Sequence, residues 1–155
     1  MPADVCVVKL VVKIMELADV IATLAAGAKI VGPVIEPHGF VWVPGKTYDG
    51  HPGSAARGTF VKGDRQLELG FRWSLGPVIY RIGTASVSHE TLMRYSGHHA
   101  DAAYLGYSTD LLDAFRHLAS DLQKFGGDFM FGDGATIIAA GKVPYVGGFG
   151  ALPDS

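Results

Sequence analysis

Between residues 57 and 83 the chain reads RGTFVKGDRQLELGFRWSLGPVIYRIG, with apolar and polar positions alternating through three segments. A period of two is the mark of strands with one buried face. The segments are separated at Gly63-Asp64 and at Leu75-Gly76. A two-residue loop that starts with glycine favours a type II′ hairpin, and at Gly63-Asp64 it sets Phe60 opposite Leu67. With Leu75-Gly76 as the second turn, Leu69 faces Ile82, Phe71 faces Tyr80 and Trp73 faces Val78. Every pair is apolar on both sides, while Thr59, Glu68, Arg72 and Arg81 fall on the other face. GFVWVP at residues 39–44 supplies a candidate fourth strand, and the Gly/Pro/Ser-rich GKTYDGHPGSAARG joins it to the rest as a loop.

Helical periodicity flanks this region. Ile14, Leu17, Ile21, Leu24 and Ala28 recur at three- and four-residue steps, predicting a helix that Gly32 and Pro33 end or kink. VCVVKLVV, before it, fits a strand and a helix equally well. Ser88 is a candidate N-cap for a short helix from His89 to about Tyr95, with Glu90 in its first turn and Gly97 at its end. A longer helix starts near Asp110, with Leu111, Phe115, Leu118, Leu122, Phe125 and Phe129 as its apolar stripe. Gly126-Gly127 either breaks this helix or lies within it. The tail predicts one short apolar helix and then glycine-rich coil. The sum is an α+β fold: an antiparallel meander of three to four strands with flanking helices, the long carboxyl-side helix packed on one sheet face. The 155 residues suit a single domain, with residues 1–15 and 141–155 peripheral.

Composition narrows the function classes. Hydrophobic residues are 48% and charged residues 18% of the chain, which argues for a folded core. A net charge of -2 gives no general attraction to nucleic acid or anionic lipid. Residues 46–94 carry seven Lys/Arg against four Asp/Glu, and residues 101–155 three against seven, so charge runs from a basic middle to an acidic end. The single cysteine, Cys6, excludes an intrachain disulfide and suits a reducing, cytoplasmic setting. Lys9, Lys13, Glu16 and Asp19 interrupt each apolar stretch near the start, so neither a signal peptide nor a membrane span is expected.

Candidate chemistry is sparse. GFVWVPGKT has one residue too many for a phosphate-binding loop and does not lead into a helix. SVSHETLMRYSGHHADAAY holds three of the six histidines, but Met93 stands where a zinc-protease helix would carry its second histidine. His89, Glu90 and His99 remain candidates for acid-base or metal-assisted hydrolysis. Adjacent histidines point apart, so only one of His98 and His99 would join such a site. The competing reading is a Ser88-capped helix followed by exposed loop histidines. His117, flanked four residues away by Asp113 and Asp121, reads as a solvated helix face compensated by Arg116 and Lys124. Arg72, Arg81 and Trp42 are binding candidates. Trp42, Trp73 and Tyr80 line either a ligand pocket or the core.

EPHGFVWV, ARGTFVKGDRQLELGFRWSLGPVIYRIG, SVSHETLMR and STDLLDAFRHLASDLQKFGGDF together resemble a group of small uncharacterised bacterial proteins with an EPHGF / ELxFRxSLG / SHExxMR pattern, over residues 35–134. The resemblance implies a bacterial origin and an α+β design, and it carries over no activity and no catalytic residue. With no nucleophile, base and oxyanion arrangement readable, the expectation is a non-enzymatic protein-interaction module of the toxin-immunity kind, without cofactor or metal. The alternative is a metal-assisted or His/Glu acid-base hydrolase.

Overall fold

The computed structural model describes residues 16–50, 53–103, 105 and 108–143. Cys6, Ile14, the VCVVKLVV segment and the tail beyond Val143 lie outside the described residues. The elements run α1 (Leu17–Ile35), a 3-10 turn (Glu36–His38), β1 (Val41–Tyr48), β2 (Ala55–Lys62), β3 (Arg65–Phe71), β4 (Leu75–Ile82) and β5 (Ala85–Ser88). Four helices follow: α2 (His89–Tyr95), α3 (Asp113–Phe125), α4 (Gly127–Met130) and α5 (Ala135–Ala140). The strands make one antiparallel sheet in the order β1-β2-β3-β4-β5. The architecture is the α+β meander expected from the pattern, with one strand more.

The first hairpin has the predicted register, Phe60 opposite Leu67 and Lys62 opposite Arg65. Its turn places Gly63 at φ +58 while Asp64 keeps a negative φ, the combination a type II′ turn requires. Gly83, also at φ +58, repeats the device between β4 and β5, and its amide donates to the Asp64 carbonyl at 3.0 Å, tying the two turns together. This second glycine turn makes Ala85–Ser88 a strand, where the sequence pattern pointed only to a helix cap.

The second hairpin departs from expectation. Leu69 pairs with Val78 rather than Ile82, Leu67 rather than Phe71 pairs with Tyr80, and Phe71 meets Leu75 across a bulge. The chain reverses over residues 72–74, so Leu75 begins β4 instead of forming the turn. For Leu69 the slip is four residues, an even number, and each apolar side chain therefore keeps its face. Trp73 is the exception: it leaves the sheet and is 52% exposed.

Phe60, Leu67, Leu69, Phe71, Val78, Tyr80 and Val87 form the inner face. α1 lies on β1, β2 and β3, and α3 lies beside α1. α3 reaches the sheet through Phe115, whose ring stacks on Phe71 at 6.0 Å. The helices meet where α1 carries Gly27, a position at which any side chain would run into the Phe115 ring. α1 does not stop at Gly32-Pro33: Pro33 is exposed in the last turn, and the Gly32 carbonyl still accepts from the Glu36 amide. Its buried stripe is Val20, Leu24, Ala28, Val31 and Ile35, while Ile21, expected inside, is 43% exposed. Leu17–His38 is long and apolar enough by length and composition to cross a membrane, and its inner stripe is part of this core.

α3 ends at Gly126, and the two shorter helices continue around the sheet. Arg65 donates to the carbonyls of Phe129 at 2.7 Å and Gly132 at 2.6 Å, and Lys62 to that of Met130 at 3.1 Å. Two cations on the sheet thus satisfy carbonyls at the carboxyl end of α4. α5 closes the far side, with Gly141 against the backbone nitrogen and oxygen of Ser86 on β5. Among the described residues, β1 has no strand on its outer side, and it carries Pro44 next to a break in its register.

Candidate functional site

Three segments place their polar groups together behind the sheet. Tyr80 points inward from β4 because the alternation of that strand demands it. Ser88 starts α2 by accepting a hydrogen bond from the Thr91 amide at 3.2 Å, which fixes the first helical residue, His89, against Tyr80. From α3 comes Asp121. His89 Nε2 lies 2.9 Å from Asp121 Oδ2, and His89 Nδ1 lies 2.7 Å from the Tyr80 hydroxyl. Asp121 Oδ1 accepts from the Ala103 amide at 2.9 Å. His89 is 5% exposed, and Asp121 and Tyr80 are 1% exposed each.

The hydrogen-bond pattern assigns the protons. A carboxylate only accepts, so the imidazole hydrogen sits on Nε2, leaving Nδ1 to accept from the Tyr80 O–H. The electrostatics agree. Burial pushes the His89 pKa below its ordinary value, against the opposing hydrogen bond and charge of Asp121, so the ring is neutral. Burial, then the negative charge of Asp121, pushes the Tyr80 phenol far above its ordinary range, so the proton stays on oxygen. Among the described residues no buried side-chain polar atom lacks a partner. The arrangement has the order carboxylate, imidazole, hydroxyl, yet the hydroxyl is a shielded phenol and both ring nitrogens are engaged. It ties β4, α2, α3 and residue 103 together and presents no reactive atom to solvent.

The sequence pattern misses Asp121, placing it on a solvated face with His117. That reading is corrected by the helix register: Ala114, Leu118, Asp121 and Phe125 follow the same four-three-four steps as the apolar stripe, which carries Asp121 inward. Arg116 does compensate the first turn, bonding Asp110 at 2.9 Å and Asp113 at 3.3 Å.

His89, Glu90 and His99 all line a cavity of about 540 Å3 beside α2. Met93, Ala102, Ala103 and Leu105 complete its apolar wall, and Arg94 joins the rim. Glu90 and Arg94 pair across one helical turn at 2.9 Å, both largely exposed. His98 is not the free loop histidine expected: its ring stacks on Phe125 at 4.4 Å. No group of three potential metal-binding side chains occurs among the described residues.

The other candidates separate. Trp42 packs over Gly58 and against Phe60 at 4.8 Å on the inner side, a core contact. Arg81 stays on the open face, where Glu68 bonds both Arg81 and, at 3.3 Å, Arg57. Arg72, expected on that face, lies instead in the second turn, because the turn falls at residues 72–74. Its guanidinium stands 5.8 Å from the Tyr48 ring centre and 5.7 Å from that of Trp73. Tyr48 is 50% exposed, and Trp73 packs one side against Gly53. The result is an exposed aromatic-arginine cluster at one end of the sheet. No family model, curated protein or solved structure matches the chain.

Proposed function

We propose that the protein is a non-enzymatic interaction module that binds a protein partner through Tyr48, Arg72 and Trp73. The observation that carries this is the cluster itself: two half-exposed aromatic rings with an arginine held between them. Tyrosine, tryptophan and arginine are the residues that dominate protein interfaces, because rigid rings and a planar guanidinium bury much area at little entropic cost. The basic excess of residues 46–94 selects a partner that presents acidic side chains. A partner-neutralising role of the immunity kind is the form we favour.

The test starts with capture of a partner from the source organism by the immobilised full chain, followed by calorimetry with both proteins purified. Trp73→Ala is expected to weaken the purified pair roughly thirtyfold, with Arg72→Ala weakening it less and removing part of the salt dependence. A purified partner that binds both variants as tightly as the parent chain would overturn the reading.

A second reading, acid-base hydrolysis, draws on the meeting of His89, Glu90 and His99 at one cavity. Against it stands His89, whose two nitrogens are already committed to Asp121 and Tyr80. Ester or amide turnover that disappears in His99→Ala and Glu90→Gln would favour this reading over the first.

A further inference from the structure

We propose that the cavity beside α2 is a binding site for a small apolar carboxylate, a straight-chain acid of medium length. This inference is independent of the interaction reading, since the cavity and the Tyr48–Arg72–Trp73 cluster share no residue.

The cavity is built from two walls. His89, Glu90, Met93 and Arg94 fall at steps of one, three and one, the stripe that one side of a helix presents. Opposite them run Ala102, Ala103 and Leu105. The two alanines leave room that larger side chains would fill. The wall is also pinned, because the Ala103 amide is bonded to Asp121, which in turn holds His89 on the facing wall. Its volume, about 540 Å3, lies in the range of small-ligand sites.

The chemistry of the lining selects the ligand. Met93, Ala102, Ala103 and Leu105 offer apolar surface, and His89, with both nitrogens engaged, offers the carbon edge of its ring. Polar groups stand only at the rim, so the ligand has an apolar body and one polar end. Two rim groups, Arg94 and His99, can donate hydrogen bonds, and one, Glu90, is a carboxylate. The bond from Arg94 Nη2 to Glu90 uses one of the five guanidinium N–H groups and orients the rest. A planar fork of donors matches a carboxylate better than an alcohol, and the Glu90 charge is already offset by its pair with Arg94, which leaves further guanidinium N–H groups as the donors of the rim.

The experiment is calorimetric titration of the full chain with octanoate, 1-octanol and octylamine. Saturable one-to-one binding of octanoate is expected, with the alcohol and the amine weaker by about tenfold or more. Arg94→Gln, an exposed change, should weaken octanoate by about tenfold without moving the thermal midpoint, and Leu105→Trp should fill the cavity and abolish binding. NMR shifts of the Met93 methyl and the Ala102 and Ala103 amides should locate octanoate without any variant. Equal affinity for octanol, preference for octylamine, absence of saturable binding, shifts confined to other residues, or unchanged affinity in Arg94→Gln would each overturn the proposal.

Discussion

Two clusters, each centred on one carboxylate, occupy opposite faces of the same sheet. On the helix side Asp121 serves a neutral imidazole and a backbone amide, with 1% of its side chain exposed. On the open side Glu68 serves Arg57 and Arg81, whose side chains are 60% and 35% exposed. The open cluster satisfies formal charge with formal charge, yet it joins only β2, β3 and β4, which the strand ladder already holds in register. The buried cluster carries less opposite charge but links a strand, two helices and a loop that no strand ladder joins. Position in the fold, and the water left behind, decide what a carboxylate contributes.

The sharpest way to break this comparison is Asp121→Ala. It leaves the His89 N–H and the Ala103 amide without acceptors in the interior, and about 3–5 kcal/mol of stability is expected to go. Denaturant unfolding measures this, and a loss near 1 kcal/mol would make the two clusters equivalent. Acid should act on the same group. The folded protein holds His89 below its ordinary value of 6.5, so under acid the unfolded chain takes up this proton first. Stability from neutral His89 is complete above that value and is lost as pH falls through the depressed folded value. His89→Gln, which keeps hydrogen-bonding capacity without titrating, should flatten the pH dependence of unfolding; an unchanged slope would exclude His89 as its source.

Ser88 lies between the two regions, pairing with Ile79 in the sheet while capping the helix that carries His89. Ser88→Ala should cost about 1 kcal/mol, since the Thr91 amide loses its acceptor. A thermal melt indistinguishable from the parent would show the cap to be dispensable. The smallest effect is expected from Glu68→Gln, about 0.5 kcal/mol and reduced further by added salt. A loss rivalling that of Asp121→Ala would place the open cluster among the principal stabilising features.

Much of this architecture is legible in the sequence, and the rest is hidden for identifiable reasons. Alternation alone identifies the inner face, and Gly63-Asp64 fixes the first register because a two-residue turn leaves one pairing. The second register escapes because Arg72-Trp73-Ser74 competes with Leu75-Gly76, and an even slip preserves the in-out pattern that would betray it. Ser88 is readable as a cap, since caps are local. The partnership of His89 with Asp121 spans 32 positions and depends on how α3 packs. Its one local sign is an acid at an apolar position of the four-three-four repeat. The cavity gathers His89, Glu90 and His99, but the saturation of His89 follows from Tyr80 and Asp121, which no spacing connects to it.

The two margins of the sheet have a consequence for the protein in concentrated solution. A strand that ends a sheet offers unpaired backbone groups to any other chain, and growth by such addition is the route to fibrils. At β5 the end of α5 sits on the backbone of Ser86, which leaves an incoming chain no room there. β1 is unshielded by any strand among the described residues, but Pro44 lacks an amide hydrogen and the pairing register breaks beside it. An added strand would find its ladder interrupted midway. The sheet is therefore closed to templated growth by bulk on one side and by a fault in its hydrogen-bonding row on the other.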